Sequence, residues 1–265
     1  GDCNINNNLG LPKMHKEDVP MRPITSGIGS APHNLAKVLA KPLTKTLGSL
    51  SDSHLKNSSE MMSKLREMTD VEELKMASFD VKALFTNVPV DGALCAIQKA
   101  VDGLDDADLP LPKADYLKMV ELCMSFGCFA FNGEEYHQRS GLAMGSPLSP
   151  VAACLFMEHL EESDFLDIIG RDSLWVRYVD DVLVVVPKTM NLEEKLRSLN
   201  SVNEKVQFTL ETEKNRQIAF LDTCVIRTES GFKFKVYRKP TNKAVGHTGN
   251  FVPSMETFLS LVKLL

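Results

Sequence analysis

The chain has 265 residues, of which 43% are hydrophobic, and a formal net charge of −5. This length and apolar content suffice for one large domain or two smaller ones with proper cores. No apolar run approaches the ~18 residues that a bilayer-spanning helix requires, and the N-terminus does not resemble a signal peptide, so we expect no membrane partner.

The basic residues are concentrated in two segments of this acidic chain. Six Lys/Arg lie between Lys13 and Lys45 against two acids, and six more lie from Arg227 to Lys243 against Glu229 alone. Two such segments could line a groove for a polyanion, or they could be ordinary solvated faces. Charge alone favours the solvated faces.

The six cysteines, at positions 3, 95, 123, 128, 154 and 224, include no CxxC pair and no spacing typical of a zinc site. We interpret them as reduced residues of an intracellular protein, nuclear or cytoplasmic. The chain begins at Gly1 and stops at Leu265, which indicates a fragment of a longer protein.

The N-terminal region predicts a hairpin that carries two cations. Residues 1–10 are rich in asparagine, and we expect them to be poorly ordered. The next segment, LPKMHKEDVPMRPITSG, predicts strand–loop–strand because Pro20 and Pro23 exclude a helix. Lys13 and Arg22 lie on its two arms and could hold a triphosphate, although taken alone they are better explained as part of a basic surface hairpin.

Two helices are predicted between the N-terminal hairpin and the next strand. An amphipathic helix opens at Pro32–Asn34, should kink at Pro42 and should end at Gly48. Its apolar side is formed by Leu35, Val38, Leu39, Leu43 and Leu47. Ser58 or Ser59 could cap a second helix that runs to about Met68.

In the middle of the chain, predicted strands and helices alternate with loops that contain glycine and proline. Lys75–Asp80 predicts a strand, and Asp91 caps a helix to about Val101. An acidic, proline-containing loop over 102–112 precedes a helix at Lys113–Phe126 with apolar spacing at Leu117, Val120 and Met124. A hairpin about Asn132-Gly133, the loop SGLAMGSPLSP and a helix from Pro150 to Ile168 follow.

The most informative stretch is LWVRYVDDVLVVVP, Leu174–Pro187. Two apolar, β-branched runs flank Asp180 and Asp181, which predicts a hairpin with two acids at its tip. Val182–Val186 is apolar throughout, so this strand should be covered on both faces. An Asp pair is also a good turn dipeptide, and for an isolated YxDD match that interpretation is favoured.

The C-terminal part predicts one more helix and several strands. Asn191 and Glu194 form a capping pair for a helix that ends near Val202. The predicted strands are Val206–Glu211, Ala219–Arg227 and Phe232–Tyr237, and the last dozen residues should begin another helix.

Three acids could converge if the strands return side by side. Asp80 ends one strand, and Asp180 and Asp181 lie at the hairpin tip much later in the chain. Hard oxygen ligands without nearby His or Cys favour Mg²⁺, or Mn²⁺, over zinc. Two such ions ~4 Å apart can activate an attacking hydroxyl and stabilise a leaving pyrophosphate in phosphoryl transfer.

The order of the motifs FDVKALFTNVP, SGLAMGSPLSP, YVDD and FLD resembles motifs A, B, C and the following palm segment of reverse transcriptases. The segments LPKMHK…RPI, before these motifs, and VYRKPTN, after them, are most similar to the corresponding segments of Penelope-like retroelement reverse transcriptases. The resemblance covers nearly the whole chain, from Leu9 to about Asn250. Four ordered motifs are far more specific than YxDD alone.

The resemblance implies an α+β fold of right-hand polymerase fingers and palm, with an antiparallel palm sheet packed on helices. Residues 1–75 would belong to the fingers and 76–245 to the palm, with an inserted fingers segment at about 92–140. Residues 246–265 would begin a truncated thumb or connector. The implied activity is RNA-directed DNA polymerase, with an RNA template, a DNA primer and dNTPs as partners and two Mg²⁺ ions as cofactors.

The resemblance also implies roles for single residues. Asp80 and Asp180 would be the main metal ligands, with Asp181 as a supporting acid and the Val81 carbonyl as a backbone ligand. Lys13 and Arg22 would clamp the triphosphate. Phe85 falls at the steric-gate position, where an aromatic ring would clash with a 2′-hydroxyl; without the motif context it could equally be a core residue.

The motif B loop and the segment after the hairpin carry further expected contacts. Gly141 and Gly145 would let the backbone approach the nascent base pair and template. Ala143-Met144 stands where many reverse transcriptases have Pro-Gln, so a polar contact to the nucleotide or template would be lost there. Lys214 is the candidate for protonating pyrophosphate, although an exposed loop lysine is the default interpretation.

Other hypotheses remain open at this point. The chain could be a telomerase-like or viral RNA-templated polymerase, although Phe85 argues against an RNA product. It could also be a catalytically silent, domesticated nucleic-acid-binding scaffold, which three intact acids disfavour. The least specific alternative is a globular α+β domain in which the Asp pair is only a turn.

Overall fold

The structure is a computed structural model that describes residues 6–12, 21–26, 31–131 and 134–238, with side chains for 32–127 and 138–238. The described residues form two compact units. The first comprises those within 1–51 and 83–160, and the second comprises those within 52–82 and 161–264.

The first unit contains a four-stranded sheet whose strand order is β2-β1-β4-β5. The strands are β1 (Asn6–Pro12), β2 (Met21–Ser26), β4 (Cys128–Phe131) and β5 (Glu134–His137). The predicted N-terminal strand–loop–strand is confirmed, because β1 and β2 pair antiparallel. The expected disorder of residues 1–10 is wrong from Asn6 onward, since β1 also pairs with β4.

Helices make up the rest of the first unit. They are α1 (Ala31–Lys45), the short α3 (Leu84–Asn87), α4 (Val90–Asp102), α5 (Lys113–Ser125) and α6 (Leu148–Leu160). Pro42 lies inside α1 as predicted. Val38 does not belong to the buried side of α1, because it is 47% exposed. The buried face of α5 is Tyr116, Val120 and Cys123, about one residue away from the predicted stripe.

The second unit is built on an antiparallel sheet with strand order β6-β7-β3-β8. These strands are β3 (Leu74–Val81), β6 (Leu174–Tyr178), β7 (Asp181–Pro187) and β8 (Phe208–Thr212). The predicted hairpin between β6 and β7 is confirmed, with Tyr178 paired to Asp181. Strand β3 lies between β7 and β8.

Both faces of this sheet are covered, which explains the uninterrupted apolar run in β7. All residues from Val182 to Val186 are completely buried. Leu183 and Val185 pack in one cluster with Met76, whereas Phe79 belongs to an aromatic cluster through ring contacts with Trp175 and Phe208. Because successive strand residues point to opposite faces, both parities must be apolar here.

A second, three-stranded sheet and three helices complete this unit. The strands are β9 (Gln217–Phe220), β10 (Thr223–Thr228) and β11 (Gly231–Val236), in the order β11-β10-β9. The helices are α2 (Ser58–Arg66), α7 (Leu166–Ile169), which follows a π-helical turn at Glu161–Phe165, and α8 (Leu192–Val202). The single strand predicted at 219–227 is wrong, since a turn with Leu221 at φ 55 divides it.

Helix caps were predicted with mixed success. Asn191 caps α8 by accepting a hydrogen bond from the Glu194 amide, as expected. Helix α2 is capped by Asn57, not by the serines that follow it. Helix α4 begins after Pro89 with Asp91 in its first turn, so Asp91 is not its cap.

Four cysteines with described side chains, Cys95, Cys123, Cys154 and Cys224, are free thiols. None of the helices in the described part of the chain combines the length and apolar character of a membrane-spanning segment.

Candidate active site

The sheet of the second unit brings the predicted acids together. The register of β3 against β7 places Asp80 directly opposite Asp181, and the Val81 amide donates to the Asp180 carbonyl at 3.0 Å. Asp80 and Asp181 therefore form a non-hydrogen-bonded pair of the ladder. In such a pair the two side chains point to the same face of the sheet, and their Cβ atoms are about 4.5–5.5 Å apart. The three acids are half-buried. Two facing carboxylates repel each other, and a cation between them would remove that cost.

The turn that carries Asp180 is strained. It has two residues, and the first, Val179, has φ 57. A positive φ at the first turn residue alone is the type II′ pattern, in which glycine is normally found. In a β-branched residue this conformation is a true outlier that requires support from its surroundings.

Support for this turn comes from a buried polar cluster on the face of the sheet opposite to the Asp80 and Asp181 side chains. Arg177 and Glu161 are both completely buried, and the Arg177 Nε donates to Glu161 Oε1 at 2.6 Å. Arg177 Nη1 also donates to the Val179 carbonyl at 3.2 Å. Trp175 Nε1 and the Ser53 hydroxyl donate to the same Glu161 carboxylate.

Sequence reasoning missed this cluster. The signal was present, because Arg177 is a lone charge inside an apolar strand, and a buried charge must be paired. The partner could not be read from the sequence, since Glu161 is one of several acids in the same helical segment and no local pattern distinguishes it from the others. The same region lowers the pKa of His54 to about 4, mainly through burial and then through the Arg177 charge.

Phe85 lies in the first unit, on α3, and is half-buried. Its carbonyl accepts a hydrogen bond from the Leu142 amide at 2.6 Å, so the motif B loop is attached to the segment that carries it. Gly141 has φ +77, and a Cβ at this position would lie 2.5 Å from the Thr86 carbonyl oxygen. Only glycine fits there, and the close approach that requires it is to Thr86.

Gly145, Met144 and Arg22 lie in the first unit. Gly145 is exposed with φ 132, and Met144 is half-buried. Arg22 lies on β2, where it pairs with Leu11, but its side chain is outside the described residues. Lys13 lies outside the described residues altogether.

Lys214 is not brought to the acids. It forms a tight turn with Gln217, and the residue before it, Glu213, donates its amide to the Met76 carbonyl. Thr209 is the β8 residue opposite Asp80, so Lys214 lies five residues further along, roughly 16 Å at strand spacing. The sheet therefore places Lys214 near the other end of β3, and its role as proton donor to pyrophosphate stays a prediction that this placement does not support.

No three His, Cys, Asp or Glu side chains within residues 32–127 and 138–238 are arranged to hold a metal ion by themselves. Magnesium is usually bound through one or two carboxylates and the phosphates of the substrate, not by a complete protein cage. The oxygen donors of Asp80 and Asp181 fit that mode of binding.

Solved structures share this fold. Telomerase from Candida tropicalis, in complex with the TWJ fragment of telomeric RNA, matches with a TM-score of 0.69 at 12% identity, over 98% of this chain and 48% of that chain. Telomerase from Candida albicans in complex with the TWJ fragment matches at 0.65 and 14%, over 98% and 50%. The fold is that of right-hand polymerase fingers and palm, and the predicted fold class is confirmed.

The sequence profile described as reverse transcriptase (RNA-dependent DNA polymerase) matches residues 14–247. The chain therefore belongs to the reverse transcriptase family. Telomerase reverse transcriptase from Takifugu rubripes is 27% identical over 187 residues, which is 66% of this chain and 17% of that protein. The chain thus spans less than a fifth of this relative and about half of the telomerase structures.

Proposed function

We propose that the chain is the catalytic region of an RNA-directed DNA polymerase, which extends a DNA primer on an RNA template with dNTPs. The observation that carries this proposal is the register that sets Asp80 opposite Asp181, beside the Asp180 turn, in a chain of the reverse transcriptase family. We assign residues 1–75 to the fingers and 76–245 to the palm, with an inserted fingers segment at about 92–140, and 246–265 to the start of a truncated thumb or connector.

The acids are proposed to hold two Mg²⁺ ions, with Mn²⁺ as the alternative. Asp80 and Asp180 would be the main ligands, Asp181 would support them, and the Val81 carbonyl would contribute a backbone oxygen. The chemistry that the two bound ions supply is activation of the primer hydroxyl and stabilisation of pyrophosphate. The chain's own contribution is to hold the carboxylates at the end of a rigid sheet, so that little reorganisation is needed during the reaction.

The nucleotide is proposed to be a deoxynucleotide. Lys13 and Arg22 would bind its triphosphate, and Phe85 would exclude a 2′-hydroxyl. The hydrogen bond from the Leu142 amide to the Phe85 carbonyl supports this proposal, because a steric gate discriminates only while the segment that carries it keeps its position.

Nucleic-acid binding is supported by the charge on α1. This helix contains no acid, and its lysines at i, i+4 and i+8, Lys37, Lys41 and Lys45, are exposed along one side. Phosphate contacts by such lysines supply affinity without sequence preference and make it salt-dependent. Replacing all three by Gln should weaken template–primer binding and reduce the slope of log K against log salt by about 2–3.

The subtype is a finer proposal. The sequences of the motifs and their flanking segments support a Penelope-like retroelement enzyme acting in the nucleus. The similarity to telomerases supports a telomerase-like enzyme instead. Penelope-like synthesis predicts extension on any RNA template with a paired primer. A telomerase-like enzyme would require its own RNA component, so extension restricted to one added RNA would favour that alternative.

Primer extension by the purified chain tests the proposal. RNA-templated incorporation of dNTPs is expected, and Asp80→Asn should lower kcat by at least about 10³-fold while template–primer affinity stays within twofold. Wild-type-like extension by Asp80→Asn would refute the assignment of the acids. Template–primer binding without extension by the wild-type chain would instead support the silent scaffold.

A further inference from the structure

We propose that Arg177 and Glu161 are positioning residues for the Asp180–Asp181 turn: a buried ion pair that fixes the catalytic acids from the reverse face of the sheet without touching the nucleotide. This inference rests on the proposed function, since it assumes that these acids take part in nucleotidyl transfer.

The first step of the argument is the position of the pair relative to the acids. Arg177 shares its strand parity with Trp175, and the Trp175 ring packs against Phe79. Asp80 has the opposite parity from Phe79, so the side chains of Asp80 and Asp181 lie on the face of the sheet opposite to the Arg177 guanidinium. Arg177 reaches the turn through the Val179 carbonyl.

The second step is the hydrogen bonding of the guanidinium. Two of its nitrogens, Nε and Nη2, are used by the Glu161 carboxylate at 2.6 and 3.2 Å. The third, Nη1, donates to the Val179 carbonyl at 3.2 Å. The fork geometry of arginine allows all three contacts at once, which a lysine ammonium could not reproduce.

The third step concerns the carboxylate that orients the arginine. Glu161 accepts from Trp175 at 3.0 Å and from the Ser53 hydroxyl as well as from Arg177. It begins the π-helical turn Glu161–Phe165, a local irregularity that often marks functional positions. Phe165 from the same turn packs edge-on against Phe208, so the turn is anchored in the aromatic cluster.

The fourth step is the reason for a charged pair at this place. An apolar pair of similar volume usually stabilises a core as well as a buried ion pair does. An apolar pair cannot donate a hydrogen bond to the carbonyl of a strained residue. Val179 holds φ 57 in a turn where glycine is normal, and the bond from Arg177 fixes the direction of the peptide that leads into Asp180.

A second buried ion pair in the same unit provides a matched control. Arg227 Nη2 donates to Glu213 Oε1 at 2.5 Å, and both side chains are largely buried. Glu213 also accepts from the Met76 amide at 3.2 Å, so this pair supports β3 four residues before Asp80. It has the same chemistry as the Arg177 pair without the contact to the turn.

The test compares Arg177→Met/Glu161→Leu with Arg227→Met/Glu213→Leu by primer extension, template–primer affinity and thermal melting. Both double variants should melt at similar temperatures. The first should lose at least tenfold in kcat with the dNTP KM and the primer affinity within threefold, and the second should keep kcat within twofold. A crystal structure of the first should show the Val179 carbonyl turned away from its present direction.

Arg177→Lys serves if the double variant does not fold, because it keeps a cation beside Glu161 but cannot also reach Val179. It should lose about fivefold in kcat with its melting temperature nearly unchanged. Unchanged kcat in a folded Arg177 variant, or an equal loss in the Arg227 pair, would overturn the inference. If Asp80→Asn retains extension, the proposed function itself has failed, and that outcome is separate from both.

Discussion

Two backbone turns with left-handed residues, one in each unit, use opposite means to hold an unfavourable conformation. The Gly141 turn has no side chain, and its backbone lies against Thr86 at a distance that no Cβ would allow. The Val179 turn keeps a β-branched residue at φ 57 and is held by a buried guanidinium. The first turn avoids strain through composition, whereas the second retains strain and stabilises it through tertiary contacts.

The comparison shows two different physical reasons for the residue found in each turn. Glycine adopts several conformations without strain, which suits a loop against which the Thr86 backbone lies closely. The Val179 turn carries an acid whose direction matters, and the hydrogen bond from Arg177 to the Val179 carbonyl fixes that direction. The following predictions test this contrast, beginning with the largest effect.

Gly141→Val should destabilise the chain by about 3 kcal/mol or more, because the side chain meets the Thr86 backbone and the residue has positive φ. Urea denaturation measures this effect. Gly103→Ala is the control, since a Cβ there would only touch the Ala100 carbonyl at 3.6 Å and the backbone needs no positive φ. Equal losses in the two variants would contradict the role assigned to close packing at Gly141.

Low pH should destabilise the second unit, which contains the Val179 turn, because His54 lies in that unit. Burial lowers the pKa of His54 to about 4, so the unfolded chain takes up a proton first as the pH falls below 6.5. The free energy of unfolding should therefore be greatest above pH 7 and should fall by up to about 3 kcal/mol between pH 6.5 and 4.

His54→Gln should flatten this part of the pH profile, which thermal melts at pH 7.5, 6 and 5 can measure. The carboxylates titrate in both chains, so the difference between the wild type and the variant isolates His54. Parallel profiles for the two would show that the imidazole stays accessible to protons in the folded state.

Phe85→Ala should raise ribonucleotide incorporation by at least about tenfold, because the ring that would meet a 2′-hydroxyl is removed. Competition between dNTPs and rNTPs in primer extension measures the selectivity. Phe126→Ala is the matched control, since Phe126 is 41% exposed and lies at the end of α5. Selectivity that does not change in Phe85→Ala would remove the gate role and leave the residue as packing.

Val179→Gly should have the smallest effect on stability, within about 1 kcal/mol, because relief of strain and added chain entropy oppose each other. The two substitutions exchange the residue types of the two turns. Gly141→Val should lower the free energy of unfolding strongly, whereas Val179→Gly should leave it nearly unchanged. A loss above about 2 kcal/mol in Val179→Gly would mean that the valine side chain itself stabilises the turn.

Several elements could be predicted because their causes are local. The β6–β7 hairpin follows from two apolar runs around an Asp pair, and the Asn191 cap follows from residue chemistry at a helix start. Where local signals competed, the prediction was partly wrong. The buried face of α5 differs by about one residue from the predicted apolar face, and a turn at Leu221 divides a segment that was predicted as one strand. Tertiary packing decides such cases because local preferences there are nearly equal.

By itself, the sequence determined the kind of chemistry: acids on strand ends, glycines in a loop and two basic segments, in an order that identifies the family. Tertiary structure decided which groups meet. It set Asp80 opposite Asp181, sent Lys214 to the far end of β3 and paired Arg177 with Glu161. The physical reason is that register and burial arise from contacts between residues distant in sequence, and no local pattern records the partner of a buried charge.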